Sequence, residues 1–268
     1  MPDSTNLEVR WDERGGATVV RDGHPQSYVA PDDPELLVFE YVQHLAIGLD
    51  LLPAGRIGVT HVGGAGLTLA RYVQHVRPGS AQIVLEPDEA LTELVRRELP
   101  LPRGHRIRVR PVDGATGLGA LKDASADAVV VDAYDRGRVP ADLTHAGTAA
   151  SYARVLRPGG LLLLNLADEP GLRYVRRVIA ALLEVLPHVA LVATHEVLKG
   201  KRFGNLVVLA SDSPLDEDSL RRRAAAADFP TGVRGLAETR RLAQGATPLT
   251  APGEESPQPP DAGRWRLR

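Results

Sequence analysis

The chain has 268 residues, a formal net charge of −2 and a hydrophobic fraction of 43%, enough for one large domain or a domain with a small appendage. That near-neutral balance argues against a protein built on attraction to a phosphate backbone, and aromatic residues at 4% leave too few rings for a single-strand stacking platform. No cysteine occurs, which excludes disulfides and thiolate metal sites, and the histidines show no metal-ligand spacing. With no signal-like leader and no membrane-length apolar run, a soluble, cytoplasmic protein without nucleic-acid or membrane partners is expected.

In chain order, residues 7–30 read as a β meander: β-rich runs at 7–11, 17–20 and 26–29 are separated by Gly15-Gly16 and Asp22-Gly23, both hairpin signals. Asp33 followed by Pro34 predicts a helix start, with Leu37, Val38, Tyr41 and Leu45 as its apolar face. This first unit, residues 1–50, is too small to be stable alone and should lean on the main sheet.

From residue 57 the pattern changes. Ile57-Gly58-Val59-Thr60-His61-Val62 reads as a strand, Gly63, Gly64 and Gly66 as a tight turn, and Leu67, Leu69, Ala70, Val73 and Val76 as a helix face. Strand, glycine turn, helix is the opening unit of a nucleotide-binding α/β domain, in which residues lacking Cβ let a ligand come close. Strands at 57–62, 82–86, 106–110, 127–132 and 160–166 alternate with helices at 66–76, 88–98, 144–156 and 171–186, so a mostly parallel sheet is expected. Runs at 189–197 and 203–210, joined by 198–202 with no room for a helix, predict a closing antiparallel hairpin. The α/β pattern of residues 51–228, with a helix near 216–226, therefore resembles the Rossmann-like sheet of class I S-adenosylmethionine methyltransferases. Residues 229–268 form a proline-rich polar tail that is expected to be mostly disordered.

Acids at strand ends are the residues that could carry chemistry. Glu86 follows the second strand, about twenty residues past the glycine turn, where such folds bind ribose hydroxyls. Asp113-Gly114 follows the third strand, where an acid-glycine pair can accept from an adenine amino group; the alternative is an ordinary turn. Asp132 ends an apolar strand at the sheet's carboxyl edge, and Asp135 follows in the loop. His61 is expected to be a satisfied core histidine, and no Ser-His-Asp pattern is visible.

Taken together in this order, the motifs resemble those of the spermidine synthase (polyamine aminopropyltransferase) family across residues 7–212. Gln26-Ser27-Tyr28-Val29 resembles its glutamine-containing strand, Gly63-Gly64-Ala65-Gly66 its glycine turn, and Glu86 its ribose acid. Asp113-Gly114 resembles the adenine-side pair, Asp132 to Asp135 the loop of the catalytic aspartate, Arg157-Pro158-Gly159-Gly160 the turn before the fifth strand, and 203–210 the closing strand. Three departures stand out. The family's turn carries an aspartate that holds the substrate amine, where Gly66 aligns here. Its helix motif Asp-Glu-x-x-Tyr-His-Glu becomes Pro34-Glu35-Leu36-Leu37-Val38-Phe39-Glu40, without the tyrosine and histidine. A glutamine that follows its fifth strand has Asn165 or Asp168 nearby.

The resemblance implies transfer of an aminopropyl group from decarboxylated S-adenosylmethionine, a co-substrate, to a small-molecule amine, with no metal. Asp132 would be the catalytic carboxylate and Asp135 a substrate contact; Gln26, Gly63, Gly64, Gly66, Glu86, Asp113 and Gly114 would line the donor. A homodimer is compatible with it. Two alternatives stay open: an S-adenosylmethionine-dependent methyltransferase, and a non-catalytic nucleoside-binding relative.

Overall fold

The computed structural model describes residues 6–250 and 254–260; the expectations for residues 1–5, 251–253 and 261–268 lie outside the described residues. Strands β1 (Leu7–Trp11), β2 (Ala17–Arg21) and β3 (His24–Val29) form the expected antiparallel meander. Between β2 and β3, Asp22 and Gly23 have φ of 50° and 79°, the pair of positive angles that a type I′ hairpin requires. The meander does lean on the main body: Ala17, Val19 and Val29 share a core with Leu67, Val84, Leu91 and Val95.

One expectation fails next. Helix α1 runs Glu40–Leu49, with Phe39 as its N-cap in an extended conformation, and does not start at Pro34. Leu37 is buried while Leu36 and Val38 are exposed at 46% and 37%. That alternation is the signature of an extended segment, which carries the chain along the same face of the sheet toward β8 and β10. There Val42, Leu45, Ala46 and Leu49 pack on Leu163 and Leu209.

The main sheet has eight strands in the order β11-β9-β10-β8-β7-β4-β5-β6. β4 (Gly58–Val62), β5 (Ala81–Leu85), β6 (Ile107–Arg110), β7 (Ala126–Val131) and β8 (Leu156–Asp168) are parallel. The crossovers carry α2 (Thr68–Val76), α3 (Glu89–Glu98), α4 (Gly114–Gly119) and α5 (Ala146–Val155). After α6 (Arg173–Leu183) come β9 (His188–Thr194) and β10 (Gly204–Ser211), antiparallel to each other, with β10 inserted beside β8. Leu162, Leu164 and Leu166 enter the core under one face while Leu161 and Leu163 enter the other. A strand covered on both sides reads as one unbroken apolar run. The hairpin connection is not bare, because His195–Leu198 coil into the single turn α7. Val197 and Leu198 are both buried, so the turn packs its apolar side chains onto the core.

The expected tail is the third correction. Past α8 (Glu217–Ala225), residues Thr231–Arg234 form β11 at the sheet edge and Leu236–Ala243 form α9. Leu249 is 2% exposed in the main core. Arg176 donates to the carbonyl of Leu242 at 2.7 Å and Arg177 to that of Thr247 at 2.8 Å. Composition underrated this segment because its order rests on a few anchors spread along it: ladder pairing of β11 to β9, burial of Ala243 and Leu249, and guanidinium groups on α6 that meet the Leu242 and Thr247 carbonyls.

The strand order reverses between β4 and β7, since the chain leaves β4 outward to β6 and returns to β7. A crevice at that switch point is where open α/β sheets bind ligands.

Candidate active site

A cavity of about 290 Å³ opens at the switch point, lined by the carboxyl ends of β4, β5 and β7 and by β3 and α1. Gly63, first after β4, has φ of 77°, and a Cβ there would stand 2.4 Å from the carbonyl oxygen of Asp132. Only glycine fits. Its backbone N–H donates to the Leu85 carbonyl at 2.9 Å, tying the turn to β5. Gly64 and Ala65 also line the cavity.

Gly66 does not, which corrects its expected role. Its N–H donates to Ser27 Oγ at 2.9 Å, and a Cβ would meet that oxygen at 2.4 Å and Val29 Cγ2 at 2.9 Å. Gly66 therefore seats the N-terminal meander. Ala65, its neighbour in the turn, does line the cavity.

Glu86 follows β5 and lines the cavity, where burial raises its pKa and the Asp88 N–H, 3.0 Å from Oε1, opposes that rise. Arg21 reaches over from β2 to pair with Asp88. Asp113 caps α4, its Oδ1 accepting the Thr116 N–H at 2.8 Å, and that bond holds its pKa low. Gly114 behind it lies so close that a Cβ would be 2.3 Å from Val62 Cγ1. Gln26 lines the same side, its amide donating to the His24 carbonyl at 3.1 Å.

Asp132 lies across the cavity, half-buried. Asn165 donates its amide to Asp132 Oδ1 at 2.8 Å, and Asn205 donates to Asn165 Oδ1 and to the Tyr134 hydroxyl, both at 3.1 Å. Burial pushes Asp132 up to about 6 although the Asn165 bond pulls the other way. Burial, and then the charge of Asp132, raise the phenols of Tyr41 and Tyr134 well above their usual value. Asp135 sits exposed at the rim, where its N–H donates to the Arg138 carbonyl at 2.8 Å and its carbonyl accepts the Arg138 N–H at 2.9 Å.

The cavity thus gathers Gln26, Gly63, Gly64, Glu86, Asp113, Gly114, Asp132 and Asp135. Asp168 does not join them: its carboxylate accepts the Glu169 and Val175 N–H groups at 2.8 and 2.9 Å and caps α6. His61 is 4% exposed, bonded to Gln82 at 2.8 Å and lowered by burial to about 4, a core histidine as expected. Tyr41, Arg21, Asn205 and Asp142 were not legible in the sequence. Asn165 carried a usable signal, since a lone amide inside Leu-Leu-Leu-Leu-Asn-Leu must find a partner. Among the described residues no group of three metal-ligating side chains is placed to hold a metal, and no helix is long and apolar enough to cross a membrane.

Fold and cavity define a class I methyltransferase-like α/β protein. A probable spermidine synthase from Corynebacterium glutamicum ATCC 13032 is similar over 93% of this chain and 94% of its own, with a TM-score of 0.86 and 28% identity. The chain is a divergent spermidine synthase-like protein. Two more distant structures share the fold. The Thermotoga maritima spermidine synthase has a TM-score of 0.62 and 14% identity over 91% of this chain and 86% of its own. Human methyltransferase-like protein 13, solved with SAH, has a TM-score of 0.57 and 20% identity over 76% and 93%. No protein-family model and no curated protein matches the chain.

Proposed function

We propose that the protein transfers an aminopropyl group from decarboxylated S-adenosylmethionine to a small amine. One observation carries this reading over methyl transfer from S-adenosylmethionine. The cavity is lined by the carboxylates of Glu86, Asp88, Asp113, Asp132, Asp135 and Asp142, against the single guanidinium of Arg21, which is paired with Asp88. Sulfonium and ammonium groups gain from such a field, while a donor that keeps its α-carboxylate would add a repulsive charge with no cation to meet it.

In this reading Glu86 accepts from the ribose hydroxyls, Asp113 from the adenine amino group, and Gly63 and Gly64 give the donor room. An aliphatic amine is almost wholly protonated at neutral pH. Asp132, lifted to about 6 by burial, is a stronger base than an ordinary carboxylate yet still ionised at pH 7. It orients the ammonium and takes its proton. The freed nitrogen lone pair attacks the carbon beside the sulfonium, the C–N bond forms as the C–S bond breaks, and the electron pair stays on sulfur as neutral methylthioadenosine. Holding the two reactants in line supplies much of the acceleration. Asn165 keeps the carboxylate aimed.

The test offers purified protein both forms of the donor with a panel of amines and weighs the products by mass spectrometry. Aminopropylated amine and methylthioadenosine from the decarboxylated donor alone are expected. Methylated product from S-adenosylmethionine would overturn the reading in favour of a methyltransferase, and donor binding without any transfer would favour a non-catalytic relative.

A further inference from the structure

Residues 254–260, Glu-Glu-Ser-Pro-Gln-Pro-Pro, lie in the stretch whose composition predicted disorder, yet they are fastened to the rim of the cavity. Arg177 on α6 donates to both carboxylate oxygens of Glu254 at 2.8 Å. Ser256 is 1% exposed, and its Oγ accepts the Val139 N–H at 2.8 Å. Arg138 donates Nε to Gln258 Oε1 at 2.5 Å and pairs with Glu255. A Cβ on Gly137 would lie 2.8 Å from Pro259 Cγ. Apart from the Glu254 anchor, these contacts fall on residues 137–139.

Those residues belong to the turn that presents Asp135. Arg136 and Gly137 sit at its tip with φ of 48° and 79°, and Asp135 and Pro140 on either side line the cavity. A non-glycine residue at positive φ costs energy and persists where its surroundings hold it. The segment gains little by apolar burial, since Ser256 is its one buried residue. Its prolines limit the entropy lost on ordering. Its polar contacts are concentrated where they can fix a cavity wall.

We propose that residues 254–260 act as a clasp that positions the Asp135–Arg138 turn and thereby sets the affinity for the acceptor amine without touching it. This rests on the aminopropyl-transfer reading for the identity of the acceptor. The test uses the full chain with R138E, E255R and the R138E/E255R charge swap, and a second probe, S256A. Hydrogen exchange of the 135–140 peptide reads the turn. Calorimetric titration of spermidine and putrescine onto protein saturated with methylthioadenosine reads the amine side, alongside KM and kcat.

Each single substitution should speed exchange in 135–140 and weaken amine binding and KM about threefold to fivefold, the scale of exposed ion pairs. Methylthioadenosine affinity and kcat should stay near wild type, and the charge swap should restore both readouts. Unchanged exchange in the single variants, faster exchange with unchanged amine affinity, or a swap that restores nothing would overturn the clasp. Absence of any transfer would sink the aminopropyl reading alone, because exchange and titration still report on the clasp.

Discussion

The two halves of the cavity handle negative charge in opposite ways. On the side proposed for the donor, carboxylates are met by backbone N–H groups: Thr116 bonds Asp113 and lowers its pKa, while Asp88 bonds Glu86 and offsets its burial. On the side proposed for the acceptor, Asp132 receives one amide bond, from Asn165, and it opposes the ionisation of the phenols of Tyr41 and Tyr134. Burial wins there and the pKa climbs to about 6. A carboxylate compensated by fixed dipoles suits binding. One left undercompensated suits taking a proton.

The largest effect expected from that contrast is at Asp132. Asp132→Asn keeps the shape and cannot accept a proton, so kcat should fall by at least about two orders of magnitude, with donor affinity changed far less. Stability should move the other way. A carboxyl whose folded pKa is raised above its unfolded value of 3.8 penalises the fold as it ionises, so stability falls as pH rises through the window from 3.8 to about 6. At pH 7 the asparagine variant should therefore melt at or above wild type in calorimetry. For the wild type, kcat should drop as pH falls below about 6. A clearly lower melting point for the variant would mean that Asp132 holds the structure together.

The matching cut on the donor side is Glu86→Gln, read by titration of methylthioadenosine. Losing a charged acceptor for two ribose hydroxyls should weaken binding about tenfold to a hundredfold. kcat at saturating donor should barely move. An equal loss in kcat would erase the division between the halves.

Asn165→Ala comes next, with about a tenfold fall in kcat and unchanged methylthioadenosine affinity. Because its hydrogen bond lowers the Asp132 pKa, removing it should move the acid limb of the pH–rate profile to higher pH. A downward shift would contradict that assignment.

The same division decides what the sequence could tell. Donor-side residues are turn chemistry: Gly63, Glu86 and Asp113 each lie within three positions of a strand end, so period-two runs broken by glycine or acid expose them. The acceptor side is assembled across the sheet by partners 33, 40 and 71 positions apart; the lone amide of Asn165 announces that it needs a partner, but nothing local says which. The start of α1 was misplaced because Asp33-Pro34 mimics a helix cap in a segment whose exposure alternates. Ordering of residues 254–260 was invisible for a related reason, since its anchors Arg138 and Arg177 lie 117 and 77 positions away. Gly66 was misread because glycine at a turn reports close approach without saying what approaches; here it is Ser27.

That last correction yields the smallest predicted effect and the sharpest test of the boundary between the halves. Ala65 belongs to the donor-side turn by sequence but faces the cavity that Asp132 closes. Its φ of 35° lies in the left-handed region, which aspartate tolerates better than most residues. Ala65→Asp would install a carboxylate on the cavity wall and should lower KM for a diamine about threefold to tenfold, the range of a partly solvated charge-assisted bond. A new anion near Asp132 should also raise its pKa and move the acid limb upward. Gly66→Asp is the counterpart: its Cβ would press on Ser27 Oγ at 2.4 Å and Val29 Cγ2 at 2.9 Å, so it should lower the melting temperature without tightening amine binding. If Gly66→Asp lowers KM while Ala65→Asp does not, the turn must rearrange around its ligand, and the acceptor would be gripped from the meander side.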